Sequence, residues 1–175
     1  MAKQTGIEDF DAFFLQYKNW IYKIAYLIIG DPNIAEDIMQ EVFINVYKSK
    51  ESFDSEKGDY TRWLRRITIN ECLKDGRKKA VSSYSVEEME EKGYNLPDNS
   101  LPLPEQLSLK NDIQYLVNSL SIKYRAALIL RCVDGLNYSE IAEALGIPLG
   151  TVKSRINRAI LALRERQKEI EKGGL

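Results

Sequence analysis

The sequence predicts an all-α protein of two small helical domains joined by a flexible acidic linker. Three observations predict it. Apolar residues recur at three- and four-residue steps, with no sustained two-residue alternation of the kind a strand needs. Capping and helix-breaking residues stand between those runs. Three of the five prolines, Pro97, Pro102 and Pro104, fall in one acidic stretch near the middle. That stretch, Val81 to Leu107, sets Glu87, Glu88, Glu90, Glu91, Asp98 and Glu105 against Lys92 alone, a net charge of −5. Its prolines forbid helix and its few large apolar residues cannot build a core. Residues 1–80 and 105–175 are therefore expected to fold as separate units, with 81–104 as the linker.

The first helix is carried by Phe10, Phe14, Tyr17, Ile21, Ile24 and Ile28, and Gly30 ends it. Asn33 followed by Glu36, just after Asp31-Pro32, has the spacing of a capping box. It would open a second helix with Ile34, Ile38, Val42 and Val46 on one stripe. A charged loop, Ser49 to Asp59, leads to a third helix bearing Tyr60, Trp63, Leu64 and Ile67. Four helices are expected in the C-terminal unit. Leu107–Ser119 is the first, and Ser121–Val133, closed by Asp134-Gly135, is the second. Asn137 and Glu140 make another candidate capping box, opening a short helix through Ile141, Ala142 and Leu145. Gly146 breaks the chain, and from about Pro148 a last helix turns Val152, Ile156, Ala159, Ile160 and Leu163 inward. Helix, glycine turn and helix is the helix-turn-helix pattern, with Ala142 small enough for close approach and Gly146 suited to the turn.

Composition narrows the function. The 175 residues include no histidine, which removes His-based triads, most zinc sites and the usual general base. Cys72 and Cys132 are too few for a four-thiolate zinc site or a disulfide scaffold. No apolar run approaches the ~18 to 20 residues of a membrane span, and Met1 to Phe10 lacks the pattern of a signal peptide. The expectation is a soluble cytoplasmic protein that is not an enzyme, with no cofactor and no metal.

A net charge of only −1 hides strong local asymmetry. Thr61 to Ala80 holds seven basic residues (Arg62, Arg65, Arg66, Lys74, Arg77, Lys78, Lys79) and two acidic ones. Gly150 to Lys168 holds six (Lys153, Arg155, Arg158, Arg164, Arg166, Lys168) against Glu165. Asp31, Glu36, Asp37 and Glu41 stand in a stretch with no basic residue. Two basic faces in separate units suit two contacts with one polyanion, and the acidic helix would face something else, such as a protein. Solvated helix faces explain many such runs. Arg164, Arg166 and Lys168 also suit a helix C-terminus, where cations complement the dipole. On the last helix, Thr151, Lys153, Ser154, Arg155 and Arg158 lie off the core stripe, where some can reach base edges and others phosphates.

Three segments carry a resemblance. Asp37-Ile-Met-Gln-Glu-Val-Phe43, Trp63-Leu-Arg-Arg-Ile-Thr-Ile-Asn70 and Tyr138-Ser-Glu-Ile-Ala-Glu-Ala-Leu-Gly-Ile-Pro-Leu-Gly-Thr-Val-Lys-Ser-Arg-Ile-Asn-Arg158 resemble, in that order, bacterial sigma factors of the extracytoplasmic-function (ECF) group. The resemblance implies that Asp37, Gln40 and Glu41, with Phe43 nearby, dock on core RNA polymerase. It implies that Arg62, Trp63, Arg65 and Arg66 support −10 promoter DNA, that Asn70 lies beside a flipped base, and that Lys74, Arg77 and Lys78 hold phosphates or the loop. It assigns the −35 element to Thr151, Lys153, Ser154, Arg155 and Arg158, and it implies control by an anti-sigma factor.

The chain departs from the pattern at Lys74, where many members have aspartate, and at Gly76, which interrupts the basic stretch. Ser121 stands where proline is frequent and is expected to cap the following helix. Two other readings compete. An ordinary helix-turn-helix regulator would leave the acidic helix and the Trp63–Asn70 segment unexplained. A helical enzyme or scaffold would have Glu36, Asp37 and Glu41 ligate a divalent cation.

Overall fold

The computed structural model describes residues 10–49, 60–80 and 115–173, the side chains of 77–80 and 173 excepted. Of the expected loop Ser49–Asp59, Ser49 instead ends the second helix and the rest lies outside the described residues, as do the expected linker 81–104 and residues 107–114 of the expected helix Leu107–Ser119. Every regular element among the described residues is helical. The helices are α1 (Phe10–Ile29), α2 (Pro32–Ser49), α3 (Tyr60–Ala80), α4, described over 115–118, α5 (Ile122–Cys132), α6 (Tyr138–Leu145) and α7 (Leu149–Gly173). By its contacts the chain divides into two compact units, Met1–Lys74 and Asp75–Leu175.

In the first unit α1 and α2 pack side by side. Ile21, Ile24, Ala25 and Ile28 meet the stripe Ala35, Ile38, Val42 and Val46, and α3 adds Leu64, Thr68, Ile69 and Cys72 to the buried set. Buried Thr68 satisfies its hydroxyl by donating to Leu64 O at 2.9 Å. One end of the unit is aromatic: the Phe14 and Phe43 ring centroids lie 4.6 Å apart, Phe13 and Tyr60 5.2 Å, and Tyr60 and Trp63 5.2 Å. Edge-on and tilted ring pairs of this kind add about 0.5 to 1.5 kcal/mol each beyond the area they cover. Phe13, absent from the expected stripe, is buried. Burial, with Tyr17 second, pushes the Tyr60 phenol above its usual range.

The start of α2 differs from the expected capping box. Asp31 is the cap: its Oδ1 accepts from the backbone N–H of Asn33 at 2.9 Å and of Ile34 at 3.2 Å. Asn33 is already helical, because Pro32 takes the first helical position, where its missing N–H costs nothing. Asp31→Ala is expected to destabilise the first unit by about 1 kcal/mol and Asn33→Ala by only a few tenths. Amide exchange along α2 checks the difference. Gly30 closes α1 as expected, at φ 81°. Gly76, by contrast, does not end α3, which runs on to Ala80.

In the second unit α5 and α6 both pack on α7. Ser121 holds the N-cap position of α5, but its hydroxyl does not cap it and is buried without a hydrogen bond. The corner before α5 is secured instead by a side chain of that helix. Arg125 Nη2 donates to Asn118 O at 2.7 Å and to Leu120 O at 2.8 Å, across the α4–α5 corner. The capping box of α6 is present in full: Glu140 N–H donates to Asn137 Oδ1 at 3.0 Å, and Asn137 N–H to Glu140 Oε2 at 2.8 Å. Gly146 ends α6 in the left-handed region, φ 64° and ψ 36°. That conformation carries no steric penalty only for glycine. After the three-residue turn, α7 buries Val152, Ile156, Ala159, Ile160 and Leu163 as expected. On α6 the buried pair is Ile141 and Ala144, whereas Ala142 is half-buried.

Candidate nucleic-acid interface

On α3, burial of Leu64, Thr68, Ile69 and Cys72 leaves the opposite side of the helix outward. Arg62, Arg66, Asn70 and Lys74 are exposed and follow one another at four-residue steps, about 6 Å of rise each. Trp63 and Arg65, grouped with them from sequence, are half-buried and flank the stripe. The Arg65 guanidinium lies 5.8 Å from the centre of the Trp20 ring of α1, and Trp63 leans on Tyr60. They brace the helix that presents the stripe. Lys74 Nζ lies 3.4 Å from Glu71 Oε2, and the other oxygen of Glu71 accepts from Asn45 Nδ2 at 3.0 Å. Glu71 thus ties α3 to α2 and restrains Lys74. The side chains of Arg77 and Lys78 lie outside the described residues.

On α2, Glu36, Asp37, Gln40 and Glu41 are all exposed. Phe43 requires a correction. It is only 5 % exposed and belongs to the aromatic core, because the turn that points Asp37 and Glu41 outward carries Phe43 in beside Val42 and Val46. It supports the acidic face from inside. The residue that completes this face is Ile44, 43 % exposed, three residues after Glu41 and seven after Asp37. The signal for it was an apolar side chain on the polar stripe of an amphipathic helix. Among the described residues, Glu36, Asp37 and Glu41 included, no group of three or more Cys, Asp or Glu side chains is placed to hold a metal ion.

On α7, Thr151, Lys153, Ser154, Arg155 and Arg158 reach the surface, each partly covered by its neighbours. Arg158 Nη1 donates to the Tyr124 hydroxyl of α5 at 3.3 Å. Arg131, Asn137, Tyr138, Ser139, Leu149 and Lys153 line an open hollow of about 460 Å³, where α5 ends and α6 and α7 begin. Arg131 is fixed there: its Nη1 donates to Leu136 O at 3.0 Å and its guanidinium lies 5.5 Å from the Tyr138 ring centroid. Two cations and two helix N-termini make the hollow suited to an anion such as a phosphate. The sequence reading missed Arg131 because it lies outside the helix-turn-helix and reaches the hollow only through the fold. Arg164, Arg166 and Lys168 are not at a helix end, since α7 continues to Gly173. Arg166 instead pairs with Glu169 at 3.1 Å. No described helix is long and apolar enough to cross a membrane.

Residues 13–81 match the family Sigma-70 region 2, and residues 110–170 match Sigma-70 region 4. The chain is 37 % identical over 179 residues to the ECF RNA polymerase sigma factor SigW of Bacillus subtilis, covering 96 % of this chain and 95 % of that protein. It is 35 % identical over 166 residues to the ECF RNA polymerase sigma factor SigE of Mycolicibacterium smegmatis, covering 93 % of this chain but 63 % of that longer protein. Among solved structures it is similar to the sigma factor RpoE of Bartonella quintana, in complex with the anti-sigma factor NepR. The TM-score is 0.68 at 26 % identity, over 93 % of this chain and 98 % of that one.

Proposed function

This chain belongs to the sigma-70 family of RNA polymerase sigma factors, in its ECF group, and we propose that it binds core RNA polymerase through α2 and selects promoters through α3 and α7. One observation carries the reading: each of two separate units turns a cationic face outward, and α2 turns an acidic face outward. Asp37, Gln40, Glu41 and Ile44 form the docking face. Arg62, Arg66, Asn70 and Lys74 follow the −10 strand, and Asn70 accepts an unstacked base by hydrogen bonds to its edge. The first residues of α7 read the −35 element, while Arg131 and Lys153 grip the backbone beside it. Each contact is small and salt-sensitive alone. Polymerase fixes their separation, so the second contact forms at high effective concentration. The protein supplies binding and no catalytic step, and it acts in the cytoplasm, where polymerase and promoter are. Its similarity to a sigma factor held by an anti-sigma factor supports regulation by such a partner.

Run-off transcription with core RNA polymerase on a randomised promoter library tests this. Enrichment of paired −35 and −10 motifs is expected, and unselective transcription would overturn the reading. Within the selected promoter, Asn70→Ala is expected to lower open-complex formation about tenfold, the worth of a lost base-edge hydrogen bond. Permanganate reactivity of the −10 thymines measures it.

A further inference from the structure

We infer that Tyr124 is a positioning residue for Arg158, setting that guanidinium as a clamp on a DNA phosphate rather than as a reader of bases. The inference rests on the promoter-binding reading above. Tyr124 lies in the first turn of α5, and its hydroxyl accepts from Arg158 Nη1 across the packed α5 and α7 helices at 3.3 Å. Lys123 Nζ lies 5.4 Å from the centre of the same ring, so two cations from two helices gather around one phenol. Both Tyr124 and Arg158 are half-buried. Arg158 comes two and a half turns into α7, about 13 Å from its start, whereas recognition helices touch base edges with their N-terminal residues. A guanidinium tied to the neighbouring helix at that depth is held toward one position and has less freedom to follow a base. It can meet a phosphate, whose position varies little with sequence. Holding it beforehand also spares the ordering of a long side chain on binding.

The test uses holoenzyme assembled from the full chain and core RNA polymerase. The probe is the promoter fragment that wild-type holoenzyme selects from a randomised library, with single-base variants of its −35 element. Arg158→Ala is expected to weaken binding about tenfold on every variant alike and to make the log–log salt dependence shallower by about 0.9. Tyr124→Phe, which keeps the ring and removes the hydroxyl, is expected to weaken binding about fivefold. In the Arg158→Ala background the same change should cost less than about 1.5-fold, since nothing is left to position. An equal Tyr124→Phe penalty in both backgrounds would overturn the inference, as would an Arg158→Ala penalty concentrated at one base pair. A wild-type holoenzyme that selects no promoter overturns both this and the reading beneath it.

Discussion

Arg125→Ala is expected to destabilise the C-terminal unit by about 3 kcal/mol, a drop in melting temperature on the order of 15 °C for a domain of this size. Arg125 is 8 % exposed, and burial draws its pKa below the ordinary arginine value. The cation persists because one nitrogen, Nη2, serves two carbonyls where α4 ends, at Asn118 and Leu120. Last-turn carbonyls have no partner within their helix and carry the negative end of its dipole, so a cation there is doubly favoured. Alanine would remove the donor that both oxygens share and empty a buried position of α5. Arg125→Lys should recover part of the loss, because an ammonium on a shorter stem reproduces the charge but not the planar fork. Hydrogen exchange on the intact chain measures this with an internal control. Amides of α5 and α6 should lose protection while those of α1 and α2 keep theirs. Unchanged protection in α5 would show that the corner is held by packing alone.

Arg125 also marks the limit of what the sequence discloses. The stripes of α1, α2 and α7 follow from helical periodicity, and the α6 capping box from two residues at fixed spacing. The turn at Gly146 follows from the one residue type that enters the left-handed region freely. These are local and therefore readable. The choice of Asp31 over Asn33 as cap was readable too, from proline's preference for the first helical position. So was the burial of Phe43, three residues before buried Val46 on the same helix. What escaped is tertiary. Arg131 enters the hollow because the turn after α5 brings the Leu136 carbonyl and the Tyr138 ring back over it. Arg125 caps a helix other than its own. Neither follows from spacing along the chain.

Glu41→Lys is expected to weaken binding to core RNA polymerase about 100-fold at low salt, since reversal removes an attraction and adds a repulsion at the same site. Glu41 is exposed, and the buried side of α2 (Ile38, Val42, Val46) is untouched by the change. The new lysine would stand four residues after Asp37, an acid-before-base pairing that stabilises a helix by a few tenths of a kcal/mol. Loss of binding therefore cannot be ascribed to loss of α2. Ile44→Ala provides the contrast. Ile44 offers apolar area at the same face, so its removal should cost about tenfold, as for an interface anchor, and the cost should persist as salt rises. The Glu41→Lys penalty should instead shrink as screening shortens the reach of the charge, to about 8 Å at 0.15 M ionic strength. A salt series of core-polymerase affinity for the two variants separates charge from packing. If Glu41→Lys binds as tightly as wild type at low salt, the acidic face of α2 is not where polymerase docks.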